Sequence, residues 1–154
     1  MSVPPHAVQL NEANDFLKKH PEVQFVDLLI ADMNGVVRGK RIERASLHKV
    51  YQRGINLPAS LFALDINGST VESTGLGLDI GDSDRVCYPI PNTLCNEPWQ
   101  KRPTAQLLMT MHEMEGEAFF ADPRAVLQQV VKKFDALGLT ICAAFELEFY
   151  LIDQ

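Results

Sequence analysis

The chain is sparing with several things, and each scarcity narrows what it can be. It has three cysteines in 154 residues, Cys87, Cys95 and Cys142. The number is odd and no C-x-x-C pair occurs, so neither a zinc ribbon nor a disulfide framework is indicated. No run approaches the roughly 18 apolar residues needed to span a bilayer. The opening MSVPPHAVQL lacks the charged head and apolar core of a secretory leader. Positive charge is also short: 14 Lys and Arg stand against 20 Asp and Glu, for a net charge of -6. A nucleic-acid surface needs clustered cationic excess, so that class is set aside. There are no internal repeats, no low-complexity tracts and no P-loop, and the glycines of GLGLDIG are wrongly spaced for a dinucleotide fingerprint. These readings together describe a reduced, cytoplasmic protein without membrane or nucleic-acid partners.

What is present has an α+β pattern. NEANDFLKKH, residues 11–20, reads as a short helix with Lys18, Lys19 and His20 near its negative end and Pro21 as its stop. QFVDLLIADMNGVVRGKRIE forms two apolar-rich runs around Asn34-Gly35, a pair suited to a two-residue type I′ hairpin. The basic residues Arg38, Lys40, Arg41 and Arg44 would blunt an exposed sheet edge. A helix follows over 44–53, with Leu47, Val50 and Tyr51 on one stripe and Gly54 past its end. From Ile55 to Pro103 the chain reads as irregular, a length that signals function or support by a partner. TAQLLMTMHEM alternates through Ala105, Leu107, Met109 and Met111, the pattern of a strand, before a turn at Gly116.

ADPRAVLQQVVKKFDALG is the clearest helix, capped by Asp122, with Pro123 in its first turn and Gly138 beyond its end. Val126, Leu127, Val130, Val131, Phe134 and Leu137 make its apolar stripe. The last segment, LTICAAFELEFYLIDQ, reads as a strand following directly on that helix. Residues 1–113 then read as one α+β unit and 114–154 as the opening of a second domain that stops short.

In such a strand Glu146 and Glu148 leave the same face, about 6.6 Å apart from a rise of ~3.3 Å per residue. Two carboxylates that close repel unless a cation lies near them. Hard oxygen ligands suit Mg²⁺ or Mn²⁺. Spacing alone leaves three readings open: solvated strand acids, ligands of paired metals, or a glycosidase carboxylate pair. Other residues have plain readings. His112 is expected at the surface, Trp99 as a packing anchor, Cys142 as a small buried filler. Asp65, Asp79, Asp82 and Asp84 stand in the irregular stretch.

Several stretches resemble one family, and the first three occur in its order. AFELEFYL is similar to the E-x-E strand of the glutamine synthetase catalytic domain, and ADPRAVL to the D-P-R helix start that precedes it. VDLLIADMNGVVRGKRI resembles the first hairpin of that family's N-terminal β-grasp domain. NLPASLFALDINGSTVESTGLGLDIGDSDRVCYPIP, with RGKRIERASLHKVY, is similar to the bacterial branch that joins glutamate to polyamines.

The resemblance implies an N-terminal β-grasp domain with a leading helix over 1–113 and the first helix and strand of the α/β catalytic domain over 114–154. It implies ATP as cosubstrate and two divalent ions, Mg²⁺ or Mn²⁺, with Glu146 and Glu148 each ligating one. Glutamate would be activated as γ-glutamyl phosphate and joined to putrescine. Asp65 would be the counterpart of the family's amine-binding aspartate, acting across a subunit interface in a dodecamer of two hexameric rings. The family's P-D-x-x-T reads PIPNT here, with Ile90 in place of the aspartate. These 154 residues alone are expected to be inactive. An ammonia-using relative, or a β-grasp module without catalysis, are the alternatives.

Overall fold

The computed structural model describes residues 10–153, apart from the side chain of Ile80. The residues read for a leader lie outside that range but for Leu10. Helix α1 spans Leu10–Lys19 and buries Ala13 and Leu17. Its carboxyl end is satisfied from afar. The Arg44 guanidinium donates to the carbonyls of Leu17 and His20, both at 2.7 Å, and to that of Val23 at 3.3 Å. Lys18 and Lys19 stand in the last turn as expected, and Arg44, 24 positions beyond His20, adds a cation there that hydrogen-bonds the carbonyls.

Strands β1 (Phe25–Ala31) and β2 (Val37–Glu43) pair antiparallel, from Phe25 opposite Glu43 to Ala31 opposite Val37. Their turn differs from the expected type I′. Asp32 donates its amide to the Val36 carbonyl at 2.9 Å, leaving a three-residue loop in which Gly35 takes φ +75° and Asn34 stays at negative φ. The cause is Asp32, whose Oδ1 accepts the amides of Asn34 (2.8 Å) and Val36 (2.9 Å) and so holds the turn in this conformation. β2 is the sheet edge, as its charges foretold, but these are engaged: Arg41 grips Asp27 with two hydrogen bonds and Arg38 reaches Asp32.

A turn of 3-10 helix leads into α2 (Leu47–Arg53), which buries Leu47, Val50 and Tyr51. β3 (Ile55–Pro58) follows Gly54. Three short 3-10 turns then lie within residues 59–80, at Ala59–Ala63, Glu72–Thr74 and Leu78–Ile80. The long segment is not irregular throughout, because β4 (Asp84–Pro89) pairs with β3 and β6, and β5 (Cys95–Asn96) pairs with β6. β6 is Thr104–His112. The sheet order is β2-β1-β6-β4-β3, with β1 and β6 parallel at its centre.

Val26, Leu28 and Ile30 of β1 and Ala105, Leu107, Met109 and Met111 of β6 bury one face against α1 and α2. Each of these side chains larger than alanine contributes ~1.5–3 kcal/mol by leaving water. The sheet is the sum of those rows.

α3 (Pro123–Ala136) starts where expected, with the Asp122 carboxylate accepting the Arg124 amide at 2.9 Å. Its apolar stripe is not buried: Leu127 is 60% and Leu137 74% exposed, and Val126, Val130 and Phe134 are exposed too. The segment after Gly138 corrects the expected strand. Among the described residues 139–153 pair with nothing, and Phe145 is 95% exposed. A strand exists only through hydrogen bonds to a neighbour, and none of the six strands pairs with this segment. Cys142, read as a buried filler, is exposed for the same reason. Trp99 is 68% exposed at the turn between β5 and β6 and anchors no core. His112 is half-buried, set edge-on against Tyr88.

Candidate functional site

Asp65 lies in the DINGS turn, and its carboxylate is divided in use. Oδ1 accepts the amides of Asn67 (2.8 Å) and Ser69 (2.9 Å). The backbone closes around it, with Asp65 N–H donating to the Ser69 carbonyl at 2.8 Å and Gly68 N–H to the Asp65 carbonyl at 3.0 Å. Among the described residues Oδ2 has no partner. Asp65 is half-buried, so that oxygen is held in place by the turn rather than loose on a surface.

The same construction occurs at Asp32 in DMNGV, bond for bond, with Gly35 at φ +75° and Gly68 at +84°. The two differ at the second oxygen. Asp32 Oδ2 accepts Arg38 Nε at 2.7 Å, within a buried carboxylate. Burial would push the Asp32 carboxyl up, but the Arg38 hydrogen bond, the Val36 and Asn34 amides and the guanidinium charge outweigh it and hold the carboxyl below its ordinary value. The occupied turn shows which chemistry completes the arrangement: a cationic N–H donor.

Asn34 joins the two turns, donating its side-chain Nδ2 to the Leu64 carbonyl at 2.8 Å. Beside them lies an apolar cavity of about 420 Å³, lined by Met33, Phe62, Leu64, Val71, Leu76 and Phe120 among others. A second cavity, of about 310 Å³, runs between α3 and the stretch Pro89-Ile90-Pro91.

The remaining acids are dispersed. Asp82 Oδ1 takes the Ser60 amide at 3.3 Å, while Asp79 and Asp84 are exposed. Glu146 and Glu148 are exposed in the unpaired terminal segment. There Tyr150 donates its hydroxyl to Glu148 Oε1 at 3.2 Å, the contact residues two apart make when the backbone is extended. No hydrogen bond links either glutamate to the Asp65 turn, and the described residues contain no group of three or more His, Cys, Asp or Glu able to hold a metal. Two carboxylates are hard donors that suit Mg²⁺ or Mn²⁺, though they fill only part of either ion's coordination. Asp32 escaped the sequence reading, which took Asn34 only as a turn residue and Arg38 only as an edge charge. The signal for Asp32 and Asn34 was the D-x-N-G pattern, present at both 32–35 and 65–68.

Residues 120–154 match the family model of the glutamine synthetase catalytic domain. Gamma-glutamylputrescine synthetase PuuA of Escherichia coli is 41% identical over 143 residues, which cover 93% of this chain and 30% of that protein. A glutamate–isopropylamine ligase of a Pseudomonas species is 32% identical over 95% of this chain and 32% of its own length. Among solved structures, a novel glutamine synthase homolog superposes with a TM-score of 0.65 at 21% identity, over 75% of this chain and 27% of that one. The chain belongs to the glutamine synthetase family. It spans about 30% of the length of these two curated relatives. No helix among the described residues is long and apolar enough to cross a membrane.

Proposed function

We propose that this chain is the amine-selecting part of an ATP-dependent ligase that couples the γ-carboxylate of glutamate to putrescine. A glutamate carboxylate oxygen attacks the γ-phosphorus of ATP and releases ADP. The amine nitrogen then attacks the acyl carbon of the γ-glutamyl phosphate, loses a proton and expels phosphate. Asp65 carries the reading: one oxygen is locked by two backbone amides, and the other is free for an ammonium beside an apolar cavity of about 420 Å³. An ammonium ion has no use for an apolar wall, whereas a diamine can lay its methylenes there. That favours an organic amine over ammonia.

Glu146 and Glu148 would hold one divalent ion each, and those ions would neutralise charge on the phosphoryl group in transfer. Residues 1–113 act as the β-grasp domain and 114–154 as the opening of the catalytic domain. Asp65 serves a neighbouring subunit's site in a cytoplasmic dodecamer of two hexameric rings. The 154 residues alone turn nothing over.

The test is ADP release by the complete gene product with glutamate and, in turn, putrescine, isopropylamine or ammonium. Putrescine is expected to give the highest kcat/KM. Equal or better turnover of ammonium would sink the amine assignment, and no release with any of the three would sink the ligase.

A further inference from the structure

We infer that Asn34 is a positioning residue for the Asp65 turn, setting the free carboxylate oxygen from the first hairpin of the sheet. The inference rests on the proposed amine-binding role of Asp65. The Asp65 turn closes a small loop of its own, bridged at Leu64 and Thr70 and by Val71 N–H on the Ala63 carbonyl at 2.8 Å. It lies between two 3-10 turns, Ala59–Ala63 and Glu72–Thr74, so no long strand ladder aims it. The β1–β2 hairpin has such a ladder, with seven paired positions. The Asn34 amide passes that rigidity on, since Nδ2 meets the carbonyl of the residue immediately before Asp65.

Asn34 itself is fixed from below. Its backbone N–H is held by Asp32 Oδ1 at 2.8 Å, and Asp32 is clamped by Arg38. The Arg38 guanidinium also lies against Gly68, with Nη1 3.8 Å from where a β-carbon would stand there. One turn thereby orients its twin. The side chain of Asn34 makes no other hydrogen bond among the described residues, so removing it disturbs this contact while the backbone bonds of its own turn remain.

Asn34→Ala and the isosteric Asn34→Asp, which loses the donor, are to be compared with Asp65→Asn in the complete gene product. We expect Asn34→Ala to raise the KM for putrescine roughly three- to tenfold, the size of one lost hydrogen bond, with KM for ATP and glutamate unchanged. Asn34→Asp should do at least as much harm. Asn34→Ala should add nothing on top of Asp65→Asn. Amide hydrogen exchange within residues 64–70 should quicken in Asn34→Ala while that of β1 stays put.

Unchanged exchange at 64–70 would overturn the inference whatever the kinetics. So would an unchanged amine KM in Asn34→Ala when Asp65→Asn raises it, and in that case the role of Asp65 would survive. If Asp65→Asn itself leaves the amine KM unaltered, the reading of Asp65 fails and the inference falls with it.

Discussion

The carboxylate of Asp122 accepts the backbone amide of Met111 at 2.8 Å while capping α3 through the Arg124 amide at 2.9 Å. The same oxygen that meets Met111 also takes the Thr110 hydroxyl, at 2.9 Å. One buried side chain thus starts the helix and ties it to the central strand β6. Asp122→Ala would remove a cap and strand two inward donors. A loss of about 2–4 kcal/mol is expected, read from urea unfolding.

Asp32 makes stability depend on acid. Its folded carboxyl sits below the ordinary value of 3.8, so its stabilisation is whole above that value. It drains away as pH falls through the unfolded value and on through the lower folded one. The urea midpoint should fall as pH drops below about 4, and Asp32→Asn should flatten that slope. Asp32→Asn should also lower stability at neutral pH by about 2–3 kcal/mol, since it leaves Arg38 without its anion. A slope identical in the two proteins would exclude Asp32 as its source.

Gly39 faces Leu29 across the first hairpin, and a β-carbon there would run into the Leu28 carbonyl. No side chain can swing away, because the obstacle is backbone of the adjacent strand. Gly39→Ala should cost more than about 3 kcal/mol or prevent folding, as judged by thermal denaturation. A melting curve like that of the parent would mean that β2 can shift on β1.

The thiols should separate by reactivity. Cys87 is wholly buried, and burial, helped by the Asp122 charge, pushes its thiol up to about 12. Cys95 and Cys142 are exposed. An aromatic disulfide reagent near pH 8 should label two thiols in the native protein and three after denaturation. Three fast thiols in the native state would show that the sheet opens at β4.

Much of this was legible in local chemistry. The stop at Pro21, the stripe of Leu47, Val50 and Tyr51, the alternation along β6 and the Asp122-Pro123 helix start each depend on residues a few places apart. The Asn34-Gly35 dipeptide marked a turn correctly but misled on its type, because the deciding group was a carboxylate two residues earlier. β4 was missed because Pro89 and the charges at its start hide a strand whose place comes from β3 and β6 beside it. Trp99 went wrong in the opposite sense: its size suggested a core, but the turn carrying it points outward.

The sequence by itself determined where α1, the first hairpin, α2, β6 and α3 lie, and through the E-x-E and D-P-R stretches it pointed to the family, because caps, breakers and periodicity act within one or two turns of chain. Only the tertiary structure decided that Asp32 and Asp65 sit in twin turns joined by Asn34, that Arg44 closes α1, and that Glu146 and Glu148 lie on an unpaired segment. Those facts depend on hydrogen bonds between residues up to 30 positions apart or on a neighbouring strand, and neither is written in local spacing.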